Sequence, residues 1–160
     1  MTDKLLNQEK EENLIKNEEI LFGRDWFLQT LVNMANSSHS IGFCGIPLLT
    51  HGFLVSGQLI SGKDYFHGFA EVFSGGLSDA DIETKENVKD SFIKMGNNVY
   101  EKLKDEDNPT PPAYIHLSEA KFFHPNGNPI PSNEGVFWRG RISEISGFSL
   151  GSLSIPNDKY

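Results

Sequence analysis

At 160 residues with a net charge of -8, the chain is long enough for one domain with its own core. It is too acidic to read as a general nucleic-acid binder, which needs clustered Lys and Arg against phosphate. With 38% hydrophobic residues, no apolar run near the roughly 18 residues of a bilayer span and an acidic, polar N-terminus unlike a secretory signal, it reads as a soluble cytoplasmic protein. The single cysteine, Cys44, rules out an intrachain disulfide and fits a reducing compartment.

The acidity is uneven. Residues 1–22 carry six acids and three lysines, and residues 79–108 carry nine acids and five lysines, whereas residues 109–160 carry four of each. The negative charge thus sits outside the segments with strand character. Residues 1–17 read as a charged extension, either a solvated helix or disordered, and residues 156–160 as a short tail. A single domain is expected over residues 18–155.

Residues 18–35 read as an amphipathic helix whose buried stripe is Trp26, Phe27, Thr30, Leu31 and Met34, with Leu28 and Val32 alongside. A strand follows over residues 40–50, with Cys44, Ile46 and Leu48 on one face and Ile41 and Phe43 on the other. Pro47, which has no N–H for a ladder, points to an edge or a bulge. His51-Gly52 turns the chain into a second strand over residues 53–61, completing a hairpin. Ser61 is positioned to cap a helix bearing Tyr65, Phe66, Phe69, Val72 and Phe73, which Gly75-Gly76 ends. Ser78 is then expected to cap a longer helix to about residue 104. Its stripe is Val88, Phe92, Met95, Val99 and Leu103, with a kink expected at Gly96-Asn97-Asn98.

Prolines 109, 111 and 112 make a linker. A third strand is expected over residues 113–123, where Phe122 rejoins the face of Ile115 and Leu117 if Glu119-Ala120 bulges. A proline-containing loop over residues 124–134 leads to residues 136–151, which read as two strands joined by a tight turn at Ser146-Gly147. The order predicts an α+β protein: a small five-stranded, strongly bent antiparallel sheet or SH3/Sm-like barrel. An N-terminal helix precedes it, and a helical insertion over about residues 62–104 separates strands two and three.

No residue pattern points to catalysis, a cofactor or a metal. The histidines 39, 51, 67, 116 and 124 lack metal-ligand spacing and read as turn or half-buried positions. Cys44 lies on an apolar strand face, where burial raises a thiol pKa. The glycine-rich pieces match neither a P-loop nor a nucleophile elbow. The candidate partner-binding residues are Arg139 and Arg141, two guanidinium groups on one face of strand four, and Phe66, Phe69 and Phe73 on the insertion helix. Two guanidiniums so placed suit a carboxylate or phosphate, unless Glu119, Glu144 or the acidic helices neutralise them. With 12 phenylalanines in the chain, some are expected to face a partner. Trp138, on the opposite face of strand four, reads as a core anchor.

Three blocks carry a family resemblance. Residues 54–66 (LVSGQLISGKDYF), residues 114–121 (YIHLSEAK), and the pair FWRGRI at 137–142 with GFSLG at 147–151 resemble, in order, segments of the gas vesicle accessory protein U family. That resemblance implies a non-catalytic accessory or structural protein, acting in gas vesicle assembly or clustering in the cytoplasm. Its partners would be a second copy of itself or gas vesicle proteins. The other readings are an Sm-like RNA-binding module, an interaction domain of the same fold used outside gas vesicles, and an enzyme relying on Cys44 or a histidine.

Overall fold

The computed structural model describes residues 25–37, 42–102, 110–124, 129–131 and 133–153. The expected charged extension at residues 1–17, residues 18–24 of the expected first helix and the tail at 156–160 lie outside the described residues, as do His39, Ile41 and Leu103.

Helix α1 (Trp26–Ser37) begins at Asp25, whose carboxylate accepts the N–H groups of Phe27 (2.9 Å) and Leu28 (3.0 Å). Its buried stripe is Leu28, Leu31, Val32 and Ala35, spaced i, i+3, i+4, i+7. The expected stripe was therefore rotated: Trp26 is 61% exposed and Met34 50%. The aliphatic set fits flat against the sheet, while the ring of Phe27 leans outward against Trp26 and Phe148, each at 5.7 Å.

The sheet consists of β1 (Cys44–Thr50), β2 (Phe53–Ile60), β3 (Tyr114–Phe123), β4 (Val136–Arg141) and β5 (Ile145–Phe148), in the order β4-β3-β2-β1-β5. Every pairing is antiparallel, and the sheet is not closed into a barrel. The α+β class stands. His51 (φ 47°) and Gly52 (φ 81°) are both left-handed, the backbone that a two-residue β1–β2 hairpin requires. The expected bulge in β3 is present: Glu119 takes φ 53° and the register slips between Leu117 and Ala120, so Phe122 returns to the core side. Gly57 makes room for it, since a Cβ there would lie 2.6 Å from the Ser118 carbonyl oxygen.

The last two strands depart from expectation. Ser146 and Gly147 lie within β5, and the link between β4 and β5 is a short 3₁₀ helix, Ile142–Glu144. Its Ile142 is buried and donates its N–H to the Ala113 carbonyl (3.0 Å). β4 and β5 are consequently opposite edges of the sheet instead of a hairpin. Nor is β1 an edge: it lies between β2 and β5. Pro47 directs its carbonyl to Ser149 N–H (3.1 Å), just beyond the end of β5, so its missing donor costs the ladder little.

Helices α2 (Gly62–Gly75) and α3 (Ile82–Lys102) form an insertion between β2 and β3, as expected. Ser61 Oγ accepts the Asp64 N–H (3.1 Å) and donates to the Asp64 carboxylate (2.7 Å). The cap of α3 is Asp81, which accepts the Thr84 N–H at 2.6 Å, and not Ser78. Asp81 is the aspartate immediately before the first helical residue, whereas Ser78 lies within a preceding turn. No break occurs at Gly96: the helix is continuous there and the glycine is buried against Phe66, where a Cβ would lie 2.5 Å from the Phe66 Cβ.

Strand alternation splits the core. Ile46, Leu48, Val55, Leu59, Ile115 and Leu117 pack with α1, while Ile60, His116 and Phe137 lie on the face toward the α2–α3 hairpin. Trp138 packs on the first cluster but is only half-buried.

Candidate functional site

The edge strand β4 sets Phe137, Arg139 and Arg141 on one face. In register with them on β3 are Tyr114, opposite Arg141, and His116, opposite Arg139. The Arg139 guanidinium lies over the Tyr114 ring, 3.4 Å from its centroid. A hydrogen bond from Arg141, with the charges of both arginines, holds the Tyr114 hydroxyl below its ordinary pKa. Both arginines are exposed. Among the described residues neither pairs with a carboxylate. Glu144, one expected neutraliser, is taken by His51 Nε2 at 2.8 Å.

Arg139 closes one side of a groove of about 460 Å³ whose other walls come from the helical hairpin: Tyr65, Phe66 and Phe69 from α2, with Phe92, Met95, Val99 and Tyr100 from α3. The helices approach closely because Gly96 receives Phe66. Gly68 seats the hairpin on β4 by receiving the ring of Phe137. Phe69 meets Phe92 edge-on at 5.1 Å. The structure thus gathers three of the sequence candidates, Arg139, Phe66 and Phe69, around one hollow. Phe73 stands outside its lining, stacked on Phe69 (5.8 Å) and edge-on to Phe92 (5.2 Å). Arg141 is also outside it, one turn of the strand pleat beyond Arg139. Val72, Phe73, Met95 and Val99 are all more than 40% exposed, so the hairpin presents an apolar surface to solvent.

Behind this groove lies a residue that sequence reasoning set aside. His116 is fully buried, where a half-buried position was expected; His67 is exposed. The His116 Nε2 shares a hydrogen bond with the Tyr100 hydroxyl (3.1 Å), the Tyr65 ring is 4.8 Å away, and His116 Nδ1 has no partner among the described residues. Burial, reinforced by the Arg139 charge, pushes its pKa down to about 3, so the ring is neutral. Burial also raises the Tyr65 and Tyr100 hydroxyls, against the opposing pull of Arg139. The available signal was the alternation Ile115-His116-Leu117, which puts the histidine on the second face of a strand covered on both sides. Cys44 is half-buried beside the core, and burial raises its thiol pKa.

The opposite face of β4 borders a second hollow of about 500 Å³, lined by Phe53, Val55, Phe122, Ile130 and Trp138 together with Thr50 and His51. Among the described residues no three His, Cys, Asp or Glu side chains are grouped to hold a metal, and no helix is long and apolar enough to cross a membrane.

The family model described as gas vesicle protein GvpU-like matches residues 25–153. The chain belongs to the GvpU-like family. The match reaches back through α1, beyond the blocks of residues 54–151 that carried the resemblance. Within the GvpU-like chain those blocks are β2 with the cap of α2, then β3, then β4 and β5. Comparison with curated proteins and with solved structures finds no match.

Proposed function

We propose that this GvpU-like protein is a non-catalytic, cytoplasmic accessory protein of gas vesicles that works by docking. The groove between α2, α3 and Arg139 is its contact surface, and a vesicle protein is its partner. The observation carrying this reading is the junction of an exposed apolar helical face with a guanidinium that pairs with no carboxylate among the described residues. Such a surface suits a partner offering an apolar side chain beside an acid. Docking of a second copy on the same face would account for clustering, and the exposed Val72, Phe73, Met95 and Val99 favour it as the second reading.

The sheet that carries this surface is, we infer, strongly bent in the manner of SH3-like folds. Flat, a five-stranded sheet would hold its edges roughly 19 Å apart at about 4.8 Å per strand. The edges β4 and β5 are joined by the three residues Ile142–Glu144, whose 3₁₀ rise is about 2 Å each. The difference supports curling of the sheet around the α1 side.

Flotation tests the functional reading. Purified protein mixed with intact gas vesicles is expected to rise with them during centrifugation. Phe69→Glu and Arg139→Glu should leave it in the subnatant, while Arg139→Lys floats. Equal recovery of the wild type and both glutamate variants would reject the groove as the contact surface.

A further inference from the structure

We propose that the free edge of β4 accepts an extended acidic segment of a partner protein as a sixth strand. The register fixes which backbone groups are open. Ile142 N–H bonds to the Ala113 carbonyl, so by antiparallel alternation Gly140 and Trp138 also turn toward β3. The N–H groups of Phe137, Arg139 and Arg141 point out of the sheet, and among the described residues none has a backbone partner. An open row of donors is a template for strand addition.

The side chains on that edge select the occupant. Residues of an added strand would alternate between the two faces of β4. One set would lie beside Arg139 and Arg141, neither of which pairs with a carboxylate among the described residues. The other set would lie beside Trp138 and the apolar hollow of Phe53, Val55, Phe122 and Ile130. A segment alternating acidic and apolar residues meets both requirements.

A second copy of this chain meets them less well. Two β4 strands paired about a two-fold axis centred at residue 139 would set Arg139 directly against Arg139, and like charges opposed across strands are destabilising. Edge charges commonly discourage self-pairing; here both are positive, so the same charges that repel β4 of a second copy attract an acidic strand.

Arg141 permits a direct test of the backbone contact. Its φ of -78° already lies in the proline range and its N–H is not used by β3, so Arg141→Pro removes the outward donor without strain. The probe is a blocked, fluorescein-labelled octapeptide of alternating valine and glutamate, titrated by anisotropy at low salt. It is expected to bind, to bind the wild type about tenfold more tightly than Arg139→Glu, and to lose further affinity in Arg141→Pro relative to Arg141→Ala. The same peptide N-methylated at alternate amides should bind about tenfold more weakly, a comparison that needs no altered protein. No binding of the parent peptide, equal binding of its valine–lysine counterpart, or indifference to N-methylation would each overturn the proposal. This inference rests on the docking reading, extended to a second surface. Because the titration uses purified protein and no vesicles, its failure leaves the flotation result standing.

Discussion

Acidification from pH 7.5 to pH 5.0 should expose the cost of keeping His116 neutral. In the folded protein its pKa is about 3; the ordinary histidine value is 6.5. The folded value is depressed, so the unfolded chain takes up the proton first. The stabilisation is complete above pH 6.5 and is lost as pH falls from 6.5 toward 3. At pH 5.0 the loss is about 1.36 kcal/mol per unit over the 1.5 units below 6.5, or about 2 kcal/mol. Groups facing the ring are Tyr65 from α2, Tyr100 from α3 and Arg139 from β4, and burial raises both tyrosine hydroxyls away from this interval. Carboxylates elsewhere begin to titrate near pH 5, so the comparison is with His116→Leu, which keeps the volume but not the proton site. Urea denaturation of both proteins at both pH values should show the wild type losing about 2 kcal/mol more than the variant. Parallel losses in the two proteins would refute the assignment of a buried, neutral His116.

Gly96→Ala gains helix propensity worth about 1 kcal/mol, yet its Cβ meets the Cβ of Phe66, which cannot swing aside. Net destabilisation of about 1–3 kcal/mol by urea denaturation is expected; a more stable variant would show that the hairpin separates freely. Trp138→Ala should cost about 2–3 kcal/mol, less than a fully buried tryptophan, because one side of the ring borders the open hollow. An unchanged melting temperature would place Trp138 outside the core.

Much of this architecture was legible in local chemistry. His51-Gly52, Ser61 and the Glu119 bulge each depend on a few neighbouring residues, and each was read from the sequence. One helix start was displaced because Asp81, and not Ser78, supplies the cap of α3, and the Asp25 cap of α1 was not singled out in the sequence. The α1 stripe was misread because size was weighed above spacing: Trp26 and Phe27 are larger than Leu28 and Val32, but only the latter face the sheet. The β4–β5 link was misread for a different reason. Ser146-Gly147 is a plausible turn locally, and only the long-range pairing of Gly147 with Leu49 keeps it extended.

The site was legible in pieces. Arg139 and the phenylalanines were found separately, since each is unusual where it stands. Their meeting depends on Gly68 and Gly96, whose role as seats for Phe137 and Phe66 involves residues far away in sequence. His116 escaped notice because a histidine between two core aliphatics looks like an ordinary strand position until both faces of the sheet are known to be covered.

Hydrogen exchange of the purified protein, with and without intact gas vesicles, tests the central claim most directly. Docking through the groove predicts added protection confined to residues 62–75, 82–102 and 136–141 when vesicles are present. Protection centred instead on α1 and β5, or none at all, would contradict it.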